Sequence, residues 1–303
     1  MEPIFLLTTL DKNYLPQLQT LLTSLAVNNP GERISLYLLH SNLSESELSS
    51  VRRQCGLYGY SFAPIHVGNE LFQDAPVTRQ YPKGMYYRLL APHLLPEDIK
   101  RILYIDPDTL VINPIRPLWA MDMHGYLFAA AAHTGKTELA NSVNKLRLGT
   151  ERDYYNSGVL LIDLEAGRRE IQPDALFSYV KQHREELLLP DQDVLNALYS
   201  ERILPAEDVL WNYDARNYSN YLLRSGGVHD LQWVMEHTAI LHFCGKAKPW
   251  KRNYLYRFGI LYQHYMQMTR RILGNDDPWA SNPRTKPGNP TMKQEKRRAP
   301  RQR

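Results

Sequence analysis

Apolar residues fall in short runs that stop at polar or turn residues, and these runs alternate with stretches of helical period. Ile4–Thr9 is an apolar run closed by Asp11-Lys12-Asn13-Tyr14, the pattern of a buried strand followed by a turn. Leu15, Leu18, Leu22 and Leu25 then recur at helical spacing, with Pro16 suited to a first helical turn. Residues 34–39 read as a second strand. Ser44 followed by Glu47 forms a capping box that opens a helix to about Cys55, and 61–67 reads as a third strand. Further on, the pattern predicts a helix over 88–95, a strand over Arg101–Ile105 and apolar segments at 126–132 and 158–164. Helices over 175–188 and 194–199 and a late strand over 239–243 follow. A helical, Tyr- and Arg-rich stretch at 254–273 precedes a Pro/Lys/Arg tail. Strands alternating with helices predict an α/β protein with a mainly parallel sheet flanked by crossover helices. One domain over 1–250, a helical appendage over 251–280 and a disordered tail over 281–303 are expected.

Composition narrows the class. Across 303 residues, 43% are hydrophobic and 22% charged, which excludes wholesale disorder and a membrane bundle. No apolar run approaches the roughly 20 residues of a spanning helix. The chain opens Met1-Glu2-Pro3 without a basic n-region or an uninterrupted apolar core. With only Cys55 and Cys244 for thiols, a reducing cytoplasmic setting is expected. The net charge of +4 is unevenly placed: residues 281–303 hold eight Lys and Arg against Glu295, a local +7, so residues 1–280 carry −3. An acidic body with a basic end argues against a nucleic-acid-binding core. No Gly-x-Gly-x-x-Gly follows the first strand and no Walker-type loop occurs.

Two segments carry candidate chemistry. Ile102-Leu103-Tyr104-Ile105 runs into Asp106-Pro107-Asp108 and resumes as Thr109-Leu110-Val111, so two acids interrupt a buried strand. Such acids are seldom buried unless paired or bound to a cation, and ligands sit at the carboxyl ends of strands in open α/β sheets. Asp106 and Asp108 suit Mg²⁺ or Mn²⁺ together with a diphosphate, while a solvated Asp-Pro-Asp turn accounts for them equally well. Leu241-His242-Phe243-Cys244-Gly245-Lys246-Ala247-Lys248-Pro249-Trp250 begins as a strand and ends as a loop. Here His242 offers a nitrogen ligand, Lys248 a point charge for phosphate, and Gly245 a close backbone approach. A core histidine beside an ordinary surface loop is the competing account.

Taken together, separated motifs in a fixed order resemble glycosyltransferase family 8, the retaining sugar transferases that include glycogenin and lipopolysaccharide galactosyl- and glucosyltransferases. The resemblance spans about residues 4–262. It rests on Asp11-Lys12-Asn13-Tyr14, Tyr87-Arg88-Leu89, Asp106-Pro107-Asp108, Tyr155-Asn156-Ser157-Gly158-Val159, Asp191-Gln192-Asp193 and His242 through Trp250. Lys12 departs from the family, standing where an acid or small polar residue is frequent.

The resemblance implies a GT-A, Rossmann-like fold, with residues 1–250 as the nucleotide-sugar-binding catalytic domain. It implies a metal held by Asp106, Asp108 and His242, and a donor, UDP-glucose or UDP-galactose, bound by Thr9, Asp11, Asn13, Arg88, Asp106, Asp108, Asn156, Ser157, Asp191, Gln192, Gly245 and Lys248. Gln192, Asp191 and Arg88 are the implied catalytic residues, although Asp191 alone would also serve as a helix N-cap. Retaining glycosidases place a carboxylate nucleophile beside the anomeric carbon, whereas here an amide, Gln192, stands in that role. Same-face attack, with a donor phosphate oxygen taking the acceptor proton, is therefore expected. The acceptor is expected on a glycan, glycolipid or glycoprotein, and a non-catalytic sugar-nucleotide or glycan binder of the same fold is the alternative. Trp211, Asn212 and Tyr213 are weaker candidates for the acceptor side. Tyr254, Tyr256, Arg257, Phe258, Tyr262 and Tyr265 beside the basic tail suit peripheral contact at the inner face of an anionic membrane.

Overall fold

The computed structural model describes residues 2–10, 12–68, 72, 75–76, 84–132 and 138–274. The expected tail, Asp11, and the sequence between the third strand and residue 84 apart from 72 and 75–76 therefore lie wholly or partly outside the described residues. Among the described residues, ten strands are formed: β1 (Ile4–Thr9), β2 (Ile34–His40), β3 (Ser61–His66), β4 (Arg101–Ile105), β5 (Thr109–Val111), β6 (Phe128–Ala132), β7 (Tyr155–Asp163), β8 (Ile203–Ala206), β9 (Tyr213–Asp214) and β10 (Ile240–His242). Seven of them make one sheet in the order β3-β2-β1-β4-β7-β6-β8, and β5-β10-β9 make a second, smaller sheet. Within the large sheet, β7 runs antiparallel to both neighbours and the other pairs are parallel. This is the mixed, mainly parallel α/β sheet expected.

Period-2 alternation explains why the central strands read as continuous apolar runs. Leu7, Ile102, Tyr104, Leu160 and Ile162 face one core. Leu6, Leu103, Ile105, Val159 and Leu161 face the other, so both surfaces of the sheet are covered by helices. A third core surrounds the small sheet. There Phe258, Tyr262 and Tyr265 pack against Tyr213, Leu241 and Phe243, so much of the aromatic set expected to face a membrane is interior. Among the described residues, no helix is long and apolar enough to cross a membrane.

α1 (Leu15–Asn28) and α2 (Glu45–Leu57) follow the expected spans closely. Ser44 Oγ accepts the Glu47 N–H, and the Glu47 carboxylate accepts the Ser44 N–H at 2.8 Å, the reciprocal pair of a capping box. Ser44→Ala is expected to lower stability by about 1 kcal/mol in a thermal or urea melt, with no effect on the site far from it.

Several helices differ from expectation, among them the one expected over 194–199, which begins at Pro190. Residues 88–95 form no continuous helix: Gly84–Tyr87 and Ala91–Leu94 are separate turns with Arg88 between them. The helix expected over 175–188 is Pro173–Gln182, because Leu187 turns into the core and the Leu188 and Leu189 N–H groups are taken by Asp193. The last helix begins at Gly259 rather than at residue 254, and the Tyr254 ring packs on Gly259 where a Cβ would collide with it. That helix is tied to α1 by Thr269 donating to Thr23 and Asn28 donating to the Tyr265 hydroxyl, both at 2.8 Å.

Candidate active site

The ends of β1 and β4 lie side by side, because the two strands pair in parallel. β4 ends at Ile105, and Asp106 continues its ladder by donating its N–H to the Gly158 carbonyl at 2.8 Å. The chain then turns at Asp106-Pro107-Asp108, with Thr109 Oγ1 donating to the Asp106 carbonyl, and enters β5. β5 pairs antiparallel with β10, His242 opposite Thr109, and Phe243 donates its N–H to the Asp108 carbonyl. Through that ladder a distant histidine arrives at the two aspartates. One ligand atom from each of Asp106, Asp108 and His242 lies within 4.8 Å of the others. A cleft of about 220 Å³ opens over Thr9, Tyr14, Arg88, Asp106 and Asp108.

Arg88 organises the other side. The aromatic turn that carries it is fixed by Tyr86 and Tyr87, both buried. Its guanidinium meets Asp106 at 3.1 Å and Asp191 at 3.2 Å, and donates to the Ser157 carbonyl at 2.9 Å. It lies over the Tyr104 ring, 4.6 Å from the centroid. Tyr104 donates to Asp106 Oδ1 at 2.5 Å and meets Thr9, which also lines the cleft, at 3.3 Å. Lys248 pairs with Asp108 and donates to the Phe243 carbonyl.

The helix Pro190–Tyr199 brings Asp191 and Gln192 to the same place. Leu189, not Asp191, occupies its N-cap position. Asp193, fully buried, takes the free N–H groups of Leu188 and Leu189 along with Arg147 and Tyr154. That leaves Asp191 to Arg88, and Ser157 Oγ donates to it at 3.0 Å. Gln192 Oε1 accepts from Asn156 Nδ2 at 3.0 Å.

Three carboxylates thus face Arg88 and Lys248, an excess of one negative charge before His242 is counted. Burial pushes the Asp106 carboxyl above its ordinary range, Asp108 adding to the rise while Arg88 opposes it. Burial acts on Asp108 in the same direction, but His242 and Lys248 outweigh it and hold that carboxyl below the usual range. Two carboxylates and one imidazole nitrogen are a hard, mixed O/N donor set that fits Mn²⁺ or Mg²⁺.

Thr9, Arg88, Asp106, Asp108, Asn156, Ser157, Asp191, Gln192, His242 and Lys248 therefore converge on one place, and Asn13 follows β1 on an exposed turn. Gly245 adopts φ +78° with its backbone against Arg216 Nη1, a position that favours glycine. Asn212 and Tyr213 do not line an open acceptor side: both are fully buried, Tyr213 against Tyr221 in the third core. Tyr104 and Arg216 are site-supporting residues that motif reading passes over, while Gly158 stands inside the Asn156-Ser157-Gly158 motif. Tyr104 carries a usable signal, being a polar-tipped aromatic within an aliphatic strand next to two acids.

A mainly parallel α/β sheet whose strand ends gather acids, an imidazole and two cations is the architecture of the GT-A glycosyltransferases. The chain belongs to glycosyl transferase family 8, whose profile matches residues 5–254. It is similar to general stress protein A of Bacillus subtilis (strain 168), at 30% identity over 283 residues, 90% of this chain and 97% of the relative. Lipopolysaccharide 1,2-glucosyltransferase of Escherichia coli (strain K12) is 24% identical, over 81% of this chain and 72% of the relative. The crystal structure of galactosyltransferase LgtC in complex with donor and acceptor sugar analogs superposes with a TM-score of 0.71 at 24% identity, covering 88% of this chain and 96% of that one.

Proposed function

We propose that the chain transfers a hexose, glucose or galactose, from a UDP-sugar to a hydroxyl on a glycan, glycolipid or glycoprotein, with retention at the anomeric carbon and dependence on Mn²⁺ or Mg²⁺. The observation that carries the reading is the convergence of Asp106, Asp108 and His242 within 4.8 Å beside Arg88, Asp191 and Gln192. Relatives named as a glucosyltransferase and a galactosyltransferase support a hexose. A divalent cation held by Asp106, Asp108 and His242 would offset the charge that grows on the departing diphosphate.

The protein's own groups supply the rest. Arg88 and Lys248 place positive charge at the diphosphate end of the cleft. Asn156, Ser157 and Asp191 present hydrogen-bonding groups for sugar hydroxyls. The Asp191 carboxylate is already occupied by Arg88 and Ser157, which makes it a poor nucleophile. Gln192 is an amide, poorer still. Attack from the face that the diphosphate leaves fits both facts: the bond from the anomeric carbon to phosphate oxygen breaks, the bond to the acceptor oxygen forms, and the acceptor proton passes to the diphosphate. Gln192 Oε1 stabilises the positive charge developing on the sugar.

The inner face of the cytoplasmic membrane is the proposed location. Leu255, 93% exposed between Arg252 and Arg257, supports contact there. A UDP-sugar panel tests the activity. UDP release from UDP-glucose or UDP-galactose is expected with Mn²⁺, and loss of release on adding chelator. Release from no member of the panel would overturn the donor assignment, and chelator-insensitive release the cation.

A further inference from the structure

Asn212 stands outside the six family motifs, between the short helix Asp208–Trp211 and β9, and it is fully buried. Its side chain spans two site residues. Nδ2 lies 2.9 Å from Asn156 Oδ1, and Oδ1 lies 2.9 Å from His242 Nδ1. The direction of these bonds follows from one backbone group. The Gly158 N–H donates to Asn156 Oδ1 at 2.9 Å, and a backbone N–H can only donate.

Asn156 therefore presents its oxygen to both Gly158 and Asn212, and Asn212 must meet it with its NH₂. The Asn212 oxygen is then the atom that faces His242, so Nδ1 of the imidazole carries a hydrogen. Nε2 is left toward Asp106 and Asp108, 4.0 and 3.4 Å from their nearest oxygens. At the other end, Asn156 keeps its NH₂ for Gln192 Oε1. A second backbone donor pins that end: Tyr155 N–H donates to Asn196 Oδ1 at 2.7 Å, and Asn196 Nδ2 donates to the Gln192 carbonyl at 2.8 Å. The relay His242–Asn212–Asn156–Gln192 has one consistent direction along its length.

We propose that Asn212 is a positioning residue with two functions: its oxygen fixes the His242 tautomer that leaves Nε2 for a cation, and its NH₂ holds Asn156, and through it the Gln192 oxygen, in place. The roles of His242 and Gln192 rest on the proposed function, whereas the relay itself does not. Outer-sphere groups of this kind alter cation affinity by about 10- to 100-fold when removed.

Two variants separate the functions. Asn212→Asp keeps an acceptor for His242 but sets a carboxylate oxygen against Asn156 Oδ1. It is expected to bind Mn²⁺ alone as tightly as wild type, or more tightly, in calorimetry, while kcat falls and the KM for Mn²⁺ stays put. Asn212→Leu removes both contacts and is expected to weaken Mn²⁺ binding by about 10- to 100-fold. In ¹⁵N-histidine-labelled protein without metal, a slowly exchanging Nδ1–H resonance, assigned by its loss in His242→Gln, is expected in wild type and in Asn212→Asp. Should Asn212→Leu not fold, the wild-type and Asn212→Asp spectra still show whether Nδ1 carries a hydrogen. Absence of the Nδ1–H signal from wild type, or equal loss of Mn²⁺ affinity and kcat in Asn212→Asp, would overturn the proposal. If wild type binds no Mn²⁺ yet shows the resonance, the relay stands and the cation reading falls.

Discussion

The double replacement Asp106→Asn, Asp108→Asn is expected to lower UDP-sugar turnover by about 10³-fold or more while the protein remains folded. Offsetting charge on a leaving diphosphate supplies several kcal/mol of transition-state stabilisation, and about 4 kcal/mol corresponds to that factor. Asparagine keeps the size and the hydrogen-bonding edge of each side chain, so packing is undisturbed. The buried cations keep partners as well: Arg88 retains Asp191 at 3.2 Å, and Lys248 retains the Phe243 carbonyl at 2.9 Å. Circular dichroism and the melting transition should therefore be close to wild type, and residual turnover should no longer rise with Mn²⁺. Turnover within tenfold of wild type, measured at saturating donor, would show that these carboxylates do not hold a required cation.

Most of the sheet is legible from local pattern because its central strands are buried on both faces. A strand such as β4, fully buried over Ile102 to Ile105, has no other stable environment. α2 is marked by Ser44 and Glu47, whose cap depends on residues three apart. Strand direction is different. The Val159–Ile162 run of β7 is as apolar as the parallel strands of the sheet, and nothing in its composition says that it enters antiparallel. Helix ends escape the apolar period where a polar side chain bonded to the backbone decides them. Asp193 draws in the backbone at Leu188 and Leu189, and the Tyr254 ring lies where a Cβ at position 259 would sit. Neither effect shows in the spacing of apolar residues.

The candidate site divides along the same line. Asp106 and Asp108 are conspicuous because charge interrupts a strand, but His242 reaches them only through the β5–β10 ladder, a non-local pairing. Motif order along the chain stands in for that missing geometry. The supporting residues are harder to find because their chemistry is ordinary. Asn212 is a buried amide like many others until its two partners are known, and Arg216 becomes relevant only because its guanidinium backs Gly245.

Gly158→Ala is expected to abolish cation binding, by at least about 100-fold, and turnover with it. Gly158 sits within β7 and needs no unusual backbone conformation; what it provides is space. A Cβ there would strike His242 Cε1 and come within 2.8 Å of Asp106 Oδ2 and 2.9 Å of His242 Nδ1. Neither side chain can yield easily. His242 is 4% exposed and bonded to Asn212, and Asp106 is held by Tyr104 and Arg88. The added methyl must therefore push the imidazole away from the aspartates, or part β7 from β4, at a stability cost of about 1–3 kcal/mol. Gly56→Ala provides the contrast. Gly56 lies in α2 with nothing within 4 Å of where an added methyl would sit, and there the same substitution should stabilise by up to about 1 kcal/mol and leave turnover alone. Calorimetry with Mn²⁺ and UDP release on both variants reads the difference, and wild-type Mn²⁺ affinity in Gly158→Ala would show that the imidazole and the carboxylate do not act together on a cation.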